Sequence, residues 1–425
     1  MIKKGLVFVL IALLVLPLIA CAQPADARLV MSDKPRVISP DVSKTDLALL
    51  AEGTSAFAFE LYRALKGEEG NLFYSPHSIS VALAMTYAGA RGETAEQIAD
   101  TLQFILEQEN LHPAFNWLDA ELAKRGEGAE GKDGEGFRLN IVNAIWGQEG
   151  YEFLPAFLDI LAENYGAGLR ILDFVNETEK SRLAINQWVS DQTEGHIEDL
   201  IPPDAIDTLT RLVLTNAIYF NAAWEHPFNE DMTTDGPFYL LDGGQVTVPM
   251  MKQTESFGYA RGEGYQSVEL RYDGGELSMV ILLPEAGQFE IFEKELQAQW
   301  VSNIIKGLQA TQVTLTMPQF EFDSEFSLKD TLAGMGMPIA FSGGADFSGM
   351  TGTPDLFIGE VLHKAFVSVD EAGTEAAAAT AVIMSKTAMP SQSVEVTIDR
   401  PFIFLIRDID TGVVLFVGRV LDPGT

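Results

Sequence analysis

Thiols are almost missing from this chain. Cys21 is the single cysteine among 425 residues, so no disulfide can close within it. Histidine is scarce as well. His77, His112, His196, His226 and His363 form neither a His-Glu-x-x-His pair nor a cluster with cysteine, which removes the usual zinc-binding patterns. Gly-x-Ser-x-Gly elbows and phosphate-cradling glycine loops are absent too, so neither a metal nor a cofactor is expected. Positive charge is in short supply: Lys and Arg number 28 against 61 Asp and Glu, a net charge of −33. That balance excludes the basic surfaces by which proteins hold nucleic acid or anionic membranes. It favours a soluble monomer kept apart from its copies by repulsion. Beyond the N-terminus, no apolar run is long enough to cross a bilayer.

What is present begins with an export signal. Lys3 and Lys4 precede the apolar stretch Gly5–Leu16 and the approach Leu18-Ile19-Ala20 to Cys21, a pattern too short for an ordinary spanning helix. Leu-Ile-Ala-Cys resembles a bacterial lipoprotein box. The resemblance implies that residues 1–20 are removed and that Cys21 carries lipid, with 21–43 as a polar tether. The protein would then be exported, either secreted or anchored in a membrane facing the periplasm or the cell exterior. Residues 44–425, in a chain 47% hydrophobic and 21% charged, are expected to form one globular domain.

Within that domain, Asp46–Leu65 carries apolar residues at helical spacing. Ser75 and Pro76 suit the N-cap and first turn of a helix so apolar all round that it should be buried centrally. Arg125–Gly136 reads as a surface loop. Phe137–Trp146 and Leu169–Phe174 read as strands, Pro155–Tyr165 and Glu177–Gln192 as helices. Arg211–Phe220 is a buried-strand run with Asn216 in its middle, where a polar side chain needs partners. Strands are predicted at Phe238–Leu241, Val246–Met250, Ser267–Tyr272, Leu277–Leu283, Gln312–Phe322 and Ala365–Val369, with helices at Gln288–Leu308 and Ser327–Met335. Val394–Ile398, Phe402–Asp408 and Val413–Val420 complete the pattern, the last two as a hairpin across Ile409-Asp410-Thr411-Gly412. Helices early, strands late and no regular alternation favour an α+β domain.

Asp410-Thr411-Gly412 is similar to the aspartic-protease triplet, an enzyme that needs two carboxylates sharing one proton. There is no second copy, so that reading requires pairing across a dimer. A hairpin turn is the simpler account.

The stretch Glu371–Ala388 stands apart from the rest. A glycine is followed by mostly small, uncharged residues, Glu375 and Lys386 excepted, with no proline before Pro390. Ala376–Ala379 would suit a helix by propensity. They would equally suit a strand able to slip between others. From about Thr45 to Pro423 the chain resembles the serpin family, through motifs in the family's order. They are Asn71-Leu72-Phe73-Tyr74-Ser75-Pro76, Ile185-Asn186-Gln187-Trp188-Val189 with Gly195-His196-Ile197, Leu214-Thr215-Asn216-Ala217 with Trp224, and His363-Lys364-Ala365. The stretch Glu371–Ala379, then Asp399-Arg400-Pro401-Phe402-Ile403-Phe404 and Phe416-Val417-Gly418-Arg419-Val420, complete the set.

The resemblance implies three β-sheets with eight or nine helices and an exposed reactive-centre loop at about 371–392. It implies an inhibitor, not an enzyme. A protease cuts the loop, forms an acyl-enzyme, and is trapped as the loop inserts into the main sheet. By the same resemblance the hinge is Glu371, Gly373, Thr374, Glu375, Ala376, Ala377, Ala378 and Ala379. The shutter is Ser75, Ser78, Asn216 and His363, and the breach holds Trp224. Gln319 stands where many members carry a lysine that pairs with the glutamate at position 371, so a hydrogen bond is expected in place of an ion pair. Counting fifteen residues from Gly373 puts the reactive bond at Thr387–Ala388, which would suit elastase- or subtilisin-like serine proteases. A register one residue earlier gives Lys386–Thr387 and trypsin-like targets. Cysteine proteases are a secondary target class. A non-inhibitory binding protein on the same fold is the alternative, disfavoured by a hinge whose only charge beyond Gly373 is Glu375.

Overall fold

The computed structural model describes residues 27–126, 138–374 and 393–424. Its strands in chain order are β1 (Arg28–Val30), β2 (Leu72–Tyr74), β3 (Arg138–Gln148), β4 (Leu169–Leu172), β5 (Leu212–Ala223), β6 (Thr234–Tyr239), β7 (Gln245–Gly262) and β8 (Tyr265–Arg271). They continue with β9 (Leu277–Pro284), β10 (Gln309–Pro318), β11 (Phe320–Ser327), β12 (Ile358–Val369), β13 (Gly373–Thr374), β14 (Val394–Thr397), β15 (Phe402–Asp408) and β16 (Val414–Val420). The helices are α1 (Lys44–Leu65), α2 (Pro76–Tyr87), α3 (Gly92–Leu102), α4 (Gln108–Leu122), α5 (Pro155–Tyr165), α6 (Thr178–Gln192), α7 (Phe289–Glu295), α8 (Ala298–Lys306), α9 (Lys329–Met335) and α10 (Ser348–Thr351).

Two sheets form among the described residues. One has seven strands in the order β1-β4-β3-β5-β13-β12-β11, with β5 also pairing β12 directly. The other runs β14-β10-β7-β8-β9-β15-β16-β2, with β6 on β7. Where three sheets are expected, the long β7 makes one continuous ladder: it pairs β10 along Met250–Tyr259 and β8 along Gly258–Gly262.

Residue alternation positions the main sheet. All twelve residues of β5 are buried. Leu212, Leu214, Ile218, Phe220 and Ala222 face the large core, while Val213 and Ala217 join Trp146, Ile185 and Val189 beneath α6. This is the period-2 pattern of a strand covered on both faces. Helix α2 lies within the large core, capped by Ser75, whose hydroxyl accepts from the Ser78 N–H at 3.1 Å.

Several boundaries differ from the sequence reading, each for a local reason. The helix expected over Gln288–Leu308 is two, because Leu296 and Gln297 are extended; this and the four-residue α10 bring the α-helices to ten among the described residues. The strand expected over Gln312–Phe322 breaks at Pro318-Gln319, and its halves belong to different sheets; proline has no N–H to continue a ladder. β12 starts at Ile358, well before Ala365, because the buried Glu360 and His363 interrupt its apolar pattern.

The stretch read as a tether is also built into the body from Arg28 onward. Arg28–Val30 pair antiparallel with Leu169–Ile171. Lys34 lies 3.0 Å from Asp159 and from Glu163, and Arg36 reaches Asp119 at 2.6 Å. Ion pairs and one short ladder hold this segment, and apolar periodicity gives no sign of either. Cys21 and Arg125–Gly136 beyond Gly126 lie outside the described residues.

Candidate functional site

The parting of β5 from β12 defines the site. The two strands run parallel and pair from Leu212↔Ile358 to Ile218↔Ala365. Beyond that point they diverge, and at the far end β13 sits between them: Gly373 opposite Ala223, Thr374 opposite Ala222 and Val369. Gly373 is required there. A Cβ at this position would lie 2.1 Å from the Ala222 carbonyl oxygen. Thr374 is fully buried and its hydroxyl is 2.8 Å from that of Tyr272.

Around this entry point the chain is fixed from several sides. The Trp224 indole N–H donates to the Asp370 carbonyl at 3.0 Å, and its ring stacks on Tyr272 with centroids 4.7 Å apart. The N–H groups of Trp224 and Phe228 donate to the carbonyls of Ala372 and Glu371, both at 2.8 Å. The Glu371 carboxylate, only 7% exposed, accepts from Gln319 Nε2 at 2.6 Å and from the Thr233 hydroxyl. The chain corner at Pro318-Gln319 thus brings an amide to a carboxylate that has two neutral donors. Replacing Gln319→Lys should turn that bond into an ion pair, raising stability to denaturant by about 1 kcal/mol. An unchanged or lower denaturation midpoint would show that the ammonium cannot reach Glu371.

At the end of the direct β5–β12 pairing, Ser75, Ser78, Asn216 and His363 come together at the start of α2. Asn143 on β3, overlooked in the sequence, completes the cluster. Asn143, Asn216 and His363 lie opposite one another on three neighbouring strands. The Ser75 N–H donates to His363 Nε2 at 3.2 Å, so the imidazole proton sits on Nδ1 and is donated to Asn216 Oδ1. Asn216 Nδ2 in turn donates to the Ser78 hydroxyl and to Asn143 Oδ1. Asn143 was concealed because Phe137–Trp146 already read well as an alternating strand; a second polar residue there was the available sign.

Burial pushes His363 from its ordinary 6.5 down to about 3, and His77 and His112 to about 4. These folded-state values lie below the unfolded one. Their contribution to stability is therefore complete above pH 6.5 and is lost as pH falls towards 4 and 3. Near pH 5, where the unfolded chain binds three more protons at these rings, stability should fall by about 4 kcal/mol per pH unit. Denaturant unfolding at pH 7, 6 and 5 measures this. A flat profile would mean that the rings take up protons in the folded state.

Asp410-Thr411-Gly412 is a turn between β15 and β16. Asp408 accepts from the Thr411 N–H at 2.7 Å and its hydroxyl at 2.6 Å. Asp410 is 69% exposed and lies 3.5 Å from Arg125. The triplet closes a hairpin, and its carboxylate faces solvent beside a guanidinium. No group of three or more His, Cys, Asp or Glu suited to hold a metal occurs among the described residues. Glu375, Ala376, Ala377, Ala378, Ala379, Lys386, Thr387 and Ala388 lie outside the described residues.

A profile of the family described as "Serpin (serine protease inhibitor)" matches residues 52–423. An uncharacterised serpin-like protein of Thermococcus kodakarensis is 41% identical over 372 residues, covering 87% of this chain and 84% of that one. The leukocyte elastase inhibitor of Xenopus laevis is 41% identical over 384 residues, 88% of this chain and 99% of the other. The crystal structure of a thermophilic serpin, tengpin, in the native state superposes with a TM-score of 0.83 at 29% identity, covering 94% of this chain and all of that one.

Proposed function

The chain belongs to the serpin family, and from that premise we propose that it inhibits serine proteases as a suicide substrate. The observation that carries the reading is β13. Two residues of the hinge already form a strand between β5 and β12, in a slot that takes Gly373 and Thr374 without a bulky or charged side chain. Cleavage would release the rest of the stretch to follow. About a dozen new ladder residues, at roughly 1 kcal/mol of net hydrogen bonding each with some apolar burial, give a driving force on the order of 10 kcal/mol. At about 3.3 Å per residue the acyl end would travel some 40 Å. In this reading Ser75, Ser78, Asn216 and His363 hold the strands together until cleavage, while Trp224 and Gln319 guard the entrance.

The reactive bond is proposed at Thr387–Ala388, with elastase- or subtilisin-like targets. The leukocyte elastase inhibitors among the relatives support this choice. We also propose export with lipid on Cys21, supported by the pattern before it; labelling with radioactive palmitate should be lost in Cys21→Ala.

Incubation with elastase, subtilisin and trypsin, followed by a denaturing gel, tests the function. A stable complex is expected, with a released fragment beginning at Ala388. A fragment beginning at Thr387 would move the bond to Lys386–Thr387. Cleavage by all three without any stable complex would overturn inhibition in favour of a binding role for the fold.

A further inference from the structure

The run that follows Thr374 carries little information about where it should sit. Ala376–Ala379 are four identical small side chains, and strands without distinctive side chains specify register weakly. A slip of two residues would place one alanine where another belongs. A slip of one would turn Glu375 inward. Register therefore has to be written at the entrance, and the entrance holds two such features. Gly373 occupies a position where any Cβ would collide with the Ala222 carbonyl. Thr374 is the only hydroxyl-bearing residue from Ala372 to Ala379, and it meets the hydroxyl of Tyr272 at 2.8 Å.

Tyr272 is well placed to act as a fixed gauge. It lies one residue beyond β8 in the nine-stranded sheet and is bridged to Trp224. Its ring is fully buried, stacked on Trp224 at 4.7 Å and set edge-on to Phe220 at 5.2 Å. The hydroxyl thus reaches the slot from the second sheet on a ring that cannot turn aside. Thr374 opposes Ala222 and Val369. A slip of one or two residues would bring Ala372, Gly373, Glu375 or Ala376 to the Tyr272 hydroxyl instead, and none of them carries a hydroxyl.

We propose that Tyr272 is a positioning residue that sets the register of the inserting strand through the Thr374 hydroxyl. The inference rests on the insertion reading above. It assigns to Tyr272 control over how the cut loop divides between trapping a protease and releasing it.

The test uses the full chain with Tyr272→Phe, Thr374→Val and the double variant. Each single change should slow correct insertion about tenfold (~1.4 kcal/mol). The excess of inhibitor consumed per protease trapped, above one, should rise by the same factor. The double variant should be no worse than either single one, and Thr374→Ser should restore the original ratio. Register itself is read by disulfide trapping after loop cleavage, in a Cys21→Ser background. Lys364→Cys should cross-link with Ala379→Cys, its partner in the proposed register. In Tyr272→Phe that yield should fall while Ala377→Cys and Ala381→Cys gain.

Unchanged stoichiometry together with an unchanged cross-linking pattern overturns the proposal. If the unaltered protein traps no protease at all, the inhibitory reading fails on its own account. The cross-linking arm still decides the register, because it needs only a cut loop. No cross-link at any of the three positions in the cut protein would likewise overturn it.

Discussion

Thr374→Arg should abolish trapping and leave a protein that proteases simply digest. Thr374 is fully buried between β5 and β12, and among the described residues its polar side-chain partner is the Tyr272 hydroxyl. A guanidinium in that slot would lose its water without gaining a carboxylate, a cost of several kcal/mol. A difference of about 3 kcal/mol already slows insertion more than a hundredfold. The acyl-enzyme would hydrolyse before the strand could enter. The uncut protein would give up the two-residue β13, but the direct pairing of β5 with β12 up to Ile218 and Ala365 does not depend on it, so the native body should survive. Titration against elastase or subtilisin on a denaturing gel gives the answer: a cleaved band in place of the complex. An Arg variant that traps with unaltered stoichiometry would remove insertion from the mechanism.

Asn216→Ala should destabilise the uncut protein by about 3–5 kcal/mol. Asn216 is 1% exposed and joins three partners: it accepts from His363 Nδ1 and donates to the Ser78 hydroxyl and to Asn143 Oδ1. Truncation removes three bonds worth about 1 kcal/mol each and leaves the buried His363 Nδ1 without its acceptor, at a further cost of about 1 kcal/mol or more, while Ser78 and the part-buried Asn143 keep each other. The loss falls where β5 and β12 begin to part, so the sheet should open more readily there. Denaturant unfolding measures the first effect, and native gels after mild heating measure the second as a faster loss of the uncut monomer. A loss below about 1 kcal/mol would mean that the cluster relaxes around the gap, and that other contacts hold the strands together.

Much of this was readable before the fold was known. The β5 run announced itself because a strand covered on both faces is apolar throughout, which makes Asn216 conspicuous. Ser75 and Pro76 were legible as a helix start because capping is local chemistry. Asn143 was hidden, since its meaning depends on alignment with Asn216 across two strands about seventy residues apart in sequence. Tyr272 was read only as the end of a strand; what distinguishes it is a ring that crosses from one sheet to the other. The β10–β11 corner and the hold of Arg28–Arg36 on the body were missed for the same reason. Each depends on what a distant segment supplies, namely the second sheet for Phe320 and the carboxylates of Asp159, Glu163 and Asp119 for Lys34 and Arg36.

The two edges of the seven-stranded sheet are treated differently, and the difference bears on how copies of this protein meet one another. A sheet that opens to admit a strand can also admit one from a neighbour, and bare edges invite the same exchange. One edge is closed by β1 lying on β4. The other, β11, presents exposed Glu321, Asp323 and Glu325 at alternate positions, with Lys364 bridging the last two at 3.8 and 3.5 Å. A second copy approaching that edge would bring its own carboxylates against these, within a chain of net charge −33. Colloidal stability is then the counterpart of an openable sheet, and it depends on ionic strength: salt that screens the edge should bring copies together before it unfolds them.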